Sequence, residues 1–299
     1  MARILVTGAT GFVGSCVYGI LQQDGHELKG TTKSRPGGHI VFCNIENASE
    51  VGALIGEFRP EIVIHCAAIS SVTSSESYEY YLSNTIGTEN ILKSLSSTGG
   101  KTRFIFISTA GVYGNQDTDS LSENLCPKPV HHYGMSKFCC ERLIHNYRDV
   151  IDYTIIRPFN IIGEGQSADF IVPKLSHAFA AREPVLRLGN LDVYRDYLDI
   201  REACEIIRHI TFNQEAVGET YNLCSGNPVS LKELLSLFEH FTQHNIKVEI
   251  APEFVRKNEV WRLTGDATKL KKLVGDVVPA IPIEQSIQRI ITAQEASLR

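Results

Sequence analysis

A tyrosine and a lysine four residues apart, Tyr133 and Lys137, could together transfer a proton. In a helix this spacing places both side chains on one face. A neighbouring ammonium group favours the phenolate, so we expect Lys137 to lower the pKa of Tyr133 toward the range that proton transfer uses. The pair alone is a weak signal, because ordinary amphipathic helices often contain it. Two further sets of residues strengthen it.

The first set is a pair of hydroxyls, Ser108 and Thr109, at the end of the apolar segment 102–109. A hydroxyl in such a position can hold and polarise a carbonyl by hydrogen bonding. Loss of water from a substrate would need an acid as well, and the next two positions are Ala110 and Gly111. The segment therefore favours hydride and proton transfer at a carbonyl over dehydration.

The second set is the glycine-rich segment TGATGFVG (7–14), which lies between a predicted strand and a predicted helix. Glycines in this context let the backbone turn tightly and approach a pyrophosphate, whose charge rests at the helix N-terminus. The spacing is GxxGxxG rather than the more usual GxGxxG. The residues predicted to contact a dinucleotide here are Gly8, Thr10, Gly11, Phe12, Val13 and Gly14.

The end of the second predicted strand bears on the choice of dinucleotide. It carries Lys33 and Arg35, where an acid would favour a free ribose 2′-hydroxyl and repel a 2′-phosphate. Both cations could pair with that phosphate, so NADP is favoured over NAD, although a solvated basic turn would look the same. Farther along, small or amide-bearing residues at strand ends could also contact the cofactor: Asn44, Ile45, Ala67 and Ala68.

Short β-branched runs alternate with amphipathic segments up to Pro158, which is typical of a doubly wound parallel sheet. We expect an α/β Rossmann-type NADP-binding domain over 1–160, to which some later segments return. A smaller C-terminal α/β lobe over 161–299 would bind the substrate across a cleft. Strands are predicted at 3–7, 26–32, 39–45, 61–68, 102–109, 152–158, 220–224 and 247–251. Helices are predicted at 11–25, 49–58, 84–98, 133–147, 170–182, 201–213 and 230–243, with two more near the C-terminus.

Composition limits the function classes. The 299 residues are 43% hydrophobic and 21% charged with a net charge of −5, which describes a globular protein and argues against broad nucleic-acid binding. Eight cysteines without a CxxC pair are expected to be buried thiols in a reducing compartment, with no metal site. Because no apolar run approaches a membrane span, we expect a cytoplasmic protein without a membrane segment.

Six motifs occur in the order found in the extended short-chain dehydrogenase/reductases, which the chain resembles over nearly its whole length. This family contains nucleotide-sugar epimerases, dehydratases and reductases. The resemblance implies that Tyr133 donates or accepts the proton, that Lys137 holds the nicotinamide ribose, and that Thr109 rather than Ser108 is the catalytic hydroxyl. It also adds Asn84 and Pro158 to the predicted cofactor contacts. The motifs are TGATGFVG (7–14), HCAA (65–68), NTIGTEN (84–90), STAGVYG (108–114), YGMSK (133–137) and RPFNIIGEGQ (157–166).

Within the family, dehydratases carry acids after the catalytic threonine, which this chain lacks. Segments 157–166, 170–175 and 189–196 look most like the GDP-4-keto-6-deoxymannose reductases. Glu164 stands in place of a proline, and the segment 256–259 departs from the family's Arg-Pro-x-Asp, so a dTDP-linked or heptose substrate stays open. The contacts implied for the nucleotide-diphosphate sugar are Thr109, Tyr133, Asn160, Val172, Lys174, Arg195, Arg256 and Glu259.

The activity implied is an NADPH-dependent 4-ketoreductase of a nucleotide-diphosphate 4-keto-6-deoxy sugar. A 4-epimerase with tightly bound NAD would need the same tyrosine, lysine and threonine, so it remains the alternative. A dinucleotide-sensing regulator without catalysis is more remote, because the chain keeps both Tyr133 and Lys137. The resemblance also implies a homodimer, in which the helices that begin near Asn84 and Tyr133 pair with their copies.

Overall fold

The computed structural model describes residues 1–34, 36–70, 76–254 and 260–298. Its strands lie in three sheets and follow the expected alternation with helices through the first half of the chain. In chain order they are β1 (Arg3–Thr7), β2 (Glu27–Thr32), β3 (Ile40–Phe42), β4 (Ile62–His65), β5 (Thr102–Ile107), β6 (Ile151–Pro158), β7 (Asn160–Ile162), β8 (Val185–Leu188), β9 (Tyr194–Asp199), β10 (Thr220–Leu223), β11 (Pro228–Ser230), β12 (Lys247–Ile250) and β13 (Arg262–Leu263).

The helices connect these strands, and a π-helical segment at Tyr80–Ile86 joins two of them without a break. Such segments are rare and occur often at functional sites. The α-helices are α1 (Phe12–Gln23), α2 (Ala48–Phe58), α3 (Ser77–Glu79), α4 (Gly87–Ser96), α5 (His132–Asn146), α6 (Ile171–Ala180), α7 (Ile200–Phe212), α8 (Leu231–Thr242), α9 (Thr268–Val274) and α10 (Ile283–Ser297).

The largest sheet has seven parallel strands in the order β10-β6-β5-β4-β1-β2-β3. The chain moves outward from β1 in one direction through β2 and β3, and then in the other through β4, β5 and β6. In sheets of this kind ligands bind where the strand order reverses, outside the carboxyl ends of the strands. The predicted Rossmann-type fold is therefore confirmed, and its switch point lies between β1 and β4.

Both faces of this sheet are covered, which explains why its strands are nearly continuous apolar runs. Successive side chains of a strand point to opposite faces. Ile4 and Val6 accordingly join the core beneath α1 and α7, whereas Leu5 between them joins the core beneath α2, α4 and α5. Thr7 ends the strand at the edge where the functional side chains collect.

The C-terminal half adds two small sheets, β11-β9-β13 with β7 alongside β9, and the pair β8-β12. Helices α6, α8 and α10 pack a separate core with residues such as Leu175, Phe179, Leu234 and Phe238. The strand β10 nevertheless returns to the edge of the large sheet beside β6. The chain thus crosses between the two halves more than once.

The eight cysteines are all free, but the expectation that they are buried was only partly right. Cys126 and Cys139 are exposed, and Cys16 and Cys66 are half-buried. Cys139 lies on α5 between the half-buried Phe138 and the buried Cys140, because consecutive residues of a helix point in different directions.

Candidate active site

The glycine loop between β1 and α1 leaves room for a ligand at the switch point. Gly8 has φ +68°, and a β-carbon there would lie 2.8 Å from the backbone of Ala67. A β-carbon on Gly14 would overlap the carbonyl oxygen of Gly8, which also accepts a hydrogen bond from the Gly11 amide at 2.9 Å. Only glycine fits these positions, and the loop stays close to the end of β4.

Helix α1 begins at Phe12 without a side-chain cap, since its N-cap residue is Gly11. The first amide groups of a helix have no partner within the helix and carry its positive dipole end. The amides of Phe12, Val13 and Gly14 are therefore suited to the oxygens of a pyrophosphate. This open cradle fits the dinucleotide that the sequence predicts.

Hydroxyl groups line the end of β2 next to this loop. Thr10 and Thr32 are hydrogen-bonded through their hydroxyls at 2.7 Å, and Thr32 is bonded to Ser34 at 2.9 Å. Lys33, predicted to bind a 2′-phosphate, forms an ion pair with Glu46. Burial by itself raises the pKa of Glu46, but the hydrogen bond from Lys33 and its charge outweigh that effect, and the pKa is lowered. Arg35, the other predicted phosphate ligand, lies outside the described residues.

Two of the predicted cofactor contacts, Asn44 and Ile45, lie next to Glu46. The Asn44 side chain accepts a hydrogen bond from the Glu46 amide at 3.2 Å, and Ile45 is buried. Ile45 packs so closely on α4 that a β-carbon on Gly87 would lie 2.6 Å from it. The Ile45 side chain therefore packs in the core, so only its backbone could contact a cofactor.

At the end of β4, His65 organises the second side of the cradle. Its Nδ1 is hydrogen-bonded to Thr7 Oγ1 at 2.6 Å and its Nε2 to Thr88 Oγ1 at 2.9 Å. Thr7 Oγ1 also accepts from the Ala67 amide at 3.2 Å, so the half-buried Ala67 and Ala68 are held in place. Burial, followed by the charge of Lys137, lowers the pKa of His65 to about 3, which keeps the ring neutral.

Asn84, a predicted cofactor contact, lies in the π-helical segment and joins two parts of the site. Its side-chain oxygen accepts from the Ile69 amide at 2.8 Å, and its amide group donates to Ile69 O at 3.2 Å and to Ser136 Oγ at 3.0 Å. Ser136 lies between Tyr133 and Lys137 on α5. Asn84 therefore fixes the loop after β4 against the helix that carries both residues.

The two hydroxyls after β5 have different surroundings. Ser108 is buried and donates to Glu141 Oε1 at 2.6 Å, so its hydroxyl is occupied. Thr109 is half-buried and accepts from the Gly111 amide at 3.0 Å. Its hydroxyl also interacts with the phenol of Tyr133, where it acts to lower the phenol pKa. Of the two hydroxyls, Thr109 is therefore the one that interacts with Tyr133.

Tyr133 and Lys137 lie on one face of α5, with the Lys137 ammonium 4.2 Å from the centre of the Phe106 ring. The expected direction of the tyrosine pKa was wrong. Burial raises the pKa of Tyr133 to about 12, and the hydrogen bond with Thr109 offsets only part of that rise. Burial also lowers the pKa of Lys137. The phenol is therefore protonated at neutral pH.

A buried polar network that sequence reasoning missed lies beneath Thr109 and Tyr133. Arg157 donates to both oxygens of Glu141, at 3.0 and 2.7 Å, and to Tyr113 Oη at 3.0 Å. Tyr113 in turn donates to Asn222 Oδ1 at 2.6 Å on β10. The sequence contains two signals of this network: Glu141 follows Lys137 by one helical turn, and Arg157 interrupts an apolar strand.

The predicted substrate residues lie on the C-terminal side. Pro158 ends β6 opposite Leu223, and the Asn160 side chain donates to the carbonyl of Asp196 at 3.1 Å. Val172 is 1% exposed and belongs to the C-terminal core, so only its backbone could reach a ligand.

Two predicted cationic contacts have protein partners. Lys174 donates to the Arg187 carbonyl at 3.0 Å and lies 4.3 Å from the centre of the Phe254 ring. The Arg195 guanidinium donates to the Tyr194 carbonyl at 2.8 Å. Arg256 and Glu259 lie outside the described residues.

Two searches of the described ranges bear on other classes of site. No group of three or more His, Cys, Asp or Glu side chains among them is arranged to hold a metal ion. None of the helices in these ranges has the length and apolar character needed to cross a membrane.

Comparisons with known proteins agree with this geometry. A family model described as the NAD dependent epimerase/dehydratase family matches residues 4–224. GDP-6-deoxy-D-talose 4-dehydrogenase from Aggregatibacter actinomycetemcomitans is 35% identical over 276 residues, which cover 92% of each chain. GDP-6-deoxy-D-mannose reductase from Pseudomonas aeruginosa is 28% identical over 311 aligned residues, covering 99% of this chain and 98% of the relative.

A solved structure of RMD from Pseudomonas aeruginosa in complex with NADPH superposes on this chain with a TM-score of 0.86 at 26% identity. The match covers 99% of this chain and 100% of the other. The similarity in sequence and in structure therefore extends over both halves of the chain.

Proposed function

The chain belongs to the NAD dependent epimerase/dehydratase family and is an NAD(P)-dependent oxidoreductase of nucleotide sugars; within that class we propose that it is an NADPH-dependent 4-ketoreductase of a GDP-linked 4-keto-6-deoxy sugar. The observation that carries the proposal is the placement of three residues: Thr109 interacts with the protonated phenol of Tyr133, and the buried Lys137 follows Tyr133 by one turn of α5. A protonated phenol is the state that a reduction requires.

The names of the relatives support this reaction. One is a 4-dehydrogenase of a GDP-linked 6-deoxyhexose and the other a reductase of a GDP-linked 6-deoxyhexose. A 4-dehydrogenase and a 4-ketoreductase catalyse the two directions of one reaction. Thr109 is followed by Ala110 and Gly111, neither of which could supply the acid for loss of water.

In the proposed mechanism the chain's own residues handle the carbonyl oxygen. When bound, the nicotinamide cofactor supplies the hydride to C4 of the sugar. The Thr109 hydroxyl donates a hydrogen bond to the keto oxygen and stabilises the charge that develops there. Tyr133 donates its proton to that oxygen as it becomes an alkoxide. Lys137, one helical turn beyond Tyr133, would supply the positive charge that favours the phenolate that remains.

The glycine loop and the open N-terminus of α1 would hold the pyrophosphate of the cofactor. The hydroxyls of Thr10, Thr32 and Ser34 would face its adenosine ribose. NADP is the proposed form, because Lys33 lies at the same place and could exchange Glu46 for a 2′-phosphate. Because Glu46 is paired with Lys33, replacing Glu46 alone can test this preference for NADP.

The nucleotide diphosphate of the substrate would bind near the start of α6. That helix begins at Ile171 without a side-chain cap, so its first amides are available as donors. Lys174 lies one turn into this helix, and Arg195 on β9 is the second predicted cation. We propose these groups as the phosphate contacts.

A 4-epimerase with tightly bound NAD is the alternative, since it would need the same three residues. The pairing of Lys33 with Glu46 favours it, because that pair weakens the attraction for a 2′-phosphate. Purified protein that carries NAD and interconverts two sugars without net oxidation would support the epimerase.

We also propose that the chain forms a homodimer through α5 and the π-helical segment. Four large apolar side chains are exposed on these elements and at their edge, where Tyr81 Oη is hydrogen-bonded to His132 at 2.9 Å. They are Tyr78, Leu82, Ile86 and Met135.

The experiment that tests the proposed function is NADPH oxidation with GDP-4-keto-6-deoxymannose, generated in situ by a dehydratase. NADH and Tyr133→Phe serve as controls. We expect NADPH loss in the wild type and a loss of roughly 10²–10⁴-fold in rate for the variant, which lacks the proton. Absence of turnover with GDP-, dTDP- and heptose-linked keto sugars alike would refute the reductase.

A further inference from the structure

Glu141 is a buried carboxylate, 2% exposed, on the same helix as Tyr133 and Lys137 and one turn beyond the lysine. Its two oxygens receive three hydrogen bonds: one from Ser108 at 2.6 Å and two from Arg157 at 3.0 and 2.7 Å. Burying a carboxylate is costly unless it is paired and hydrogen-bonded, and here it is both. Arg157 is fixed in turn by Tyr113, over whose ring its guanidinium lies at 4.9 Å.

This carboxylate connects the two elements that must bring Thr109 and Tyr133 together. Thr109 follows Ser108 at the end of β5, whereas Tyr133 lies two turns before Glu141 on α5. A second close approach joins α5 to the turn just after Thr109, at Gly134, where a β-carbon would lie 2.5 Å from the carbonyl oxygen of Gly111. Two separate ties therefore set the distance between the hydroxyl and the phenol.

We propose that Glu141 is a positioning residue for the active site: held by Arg157, it anchors Ser108 and thereby the alignment of Thr109 with Tyr133, and it supplies the negative charge that balances Lys137. This inference rests on the proposed roles of Thr109, Tyr133 and Lys137. It assigns a function to a carboxylate that would never touch the substrate.

The groups that face Lys137 support the second part of this proposal. His65 from β4 is neutral, and burial raises the pKa of the Cys66 thiol to about 12 and raises that of Cys140 as well. These thiols are uncharged at neutral pH, and Arg157 from β6 carries a positive charge. Among these groups Glu141 is the one whose negative charge favours the ammonium form of Lys137.

The test compares Glu141→Gln with Ser108→Ala and the wild type. Glutamine keeps the shape and can still accept from Ser108, but it removes the charge and leaves Arg157 unbalanced. The matched control is Glu89→Gln, since Glu89 is also paired with a cation (Lys93, 3.2 Å) and a hydroxyl (Tyr147, 2.8 Å) but lies on α4.

The first readout is the affinity for NADPH as a function of pH, which needs no sugar substrate. Lys137 must carry its proton to hold the dinucleotide, so affinity is high below the pKa of Lys137 and falls as the pH rises through it. In Glu141→Gln we expect this alkaline fall to begin about one pH unit lower than in the wild type. In Ser108→Ala and Glu89→Gln the alkaline fall should begin at the same pH as in the wild type.

The second readout is turnover of the keto sugar. We expect kcat to fall about tenfold or more in both Glu141→Gln and Ser108→Ala, with KM changed less than about threefold, because the alignment rather than binding is disturbed. Thermal melting monitors folding of each variant. If Glu141→Gln does not fold, Ser108→Ala decides the positioning role through kcat at unchanged melting temperature.

The charge role would be overturned if the alkaline fall in NADPH affinity were the same in Glu141→Gln as in the wild type. The anchoring role would be overturned by an unchanged kcat in Ser108→Ala. Failure of the proposed function looks different: the wild type would then turn over no keto sugar, while the binding curves would still decide the role of Glu141.

Discussion

Tyr133 is subject to opposing influences at its hydroxyl. Burial disfavours the phenolate, whereas the hydrogen bond with Thr109 favours it, and burial is the larger effect. The outcome is a phenol that holds its proton over the whole neutral range. A residue in that state can donate a proton to an alkoxide.

The raised pKa of Tyr133 can be measured directly in the protein without cofactor. We expect the phenolate absorbance that distinguishes the wild type from Tyr133→Phe to appear only well above pH 10, the ordinary range for tyrosine, and toward a midpoint of about 12. Ultraviolet difference titration provides the measurement. A midpoint below pH 10 would mean that the charge of Lys137 outweighs burial.

At this scale the sequence predicted how two of the candidate residues are placed but not how they ionise. The spacing of Tyr133 and Lys137 predicted that they share a helical face, and both lie on α5. The pKa of Tyr133 depends on how deeply residues distant in sequence bury it, which no local pattern contains. Glu141 was missed for the same reason, since its partners Ser108 and Arg157 come from other elements.

Cofactor preference also depends on one pair of residues, Lys33 and Glu46. Glu46→Gln removes the anion that neutralises Lys33. We expect the affinity for NADPH to rise about tenfold relative to NADH, which corresponds to about 1.4 kcal/mol for one freed charge contact to a phosphate. Competitive binding of the two dinucleotides measures the ratio.

The matched control for that substitution is Glu57→Gln. It breaks another lysine–glutamate pair, in which Glu57 lies 3.4 Å from Lys29 on β2, the strand that precedes Lys33. It should leave the ratio unchanged. Equal gains for NADPH and NADH in Glu46→Gln would show that Lys33 does not contact a 2′-phosphate.

At the scale of elements, the junction of β1 and α1 depends on close backbone packing. Gly14→Ala would drive a β-carbon into the carbonyl of Gly8, so we expect the loop to be displaced and dinucleotide affinity to fall at least about tenfold. Gly19→Ala in the same helix is the control, because nothing lies within 4 Å of its β-carbon position. It should retain binding and stabilise the fold by up to about 1 kcal/mol.

Isothermal titration with NADPH and thermal melting together separate these outcomes. Normal binding in Gly14→Ala would contradict a ligand site at this loop. The loop was predictable because a strand, spaced glycines and a helix are adjacent in sequence. The strand β9 was not, since Tyr194–Asp199 contains two buried carboxylates, Asp196 and Asp199, which accept hydrogen bonds from residues far along the chain such as Ser225 and Ser286.

On the scale of the whole molecule, the seven-stranded sheet followed from the alternation of apolar runs and amphipathic segments. The small sheets β11-β9-β13 and β8-β12 did not, because their strands are short and pair with segments far along the chain. The division of the chain at residue 160 stays a prediction, as does the dimer.

The proposed dimer gives a test at this scale. Replacing Ile86 with Glu places a charge in the middle of the exposed apolar face, so we expect a monomer in light scattering. Val277→Glu is the control, since Val277 is 67% exposed and lies far along the chain from α5. A dimer that persists in Ile86→Glu would place the interface elsewhere, and a monomeric wild type would exclude it.

The measurement that tests the central claim most directly is the fate of a deuterium label. NADPH carrying deuterium at C4 of the nicotinamide, on the face that is transferred, is incubated with the protein and GDP-4-keto-6-deoxymannose. The product is then analysed by mass spectrometry and NMR. We expect one deuterium at C4 of the sugar for each NADPH consumed, and none with Tyr133→Phe over the same time. A product without deuterium, or sugar interconversion without loss of NADPH, would contradict the 4-ketoreductase.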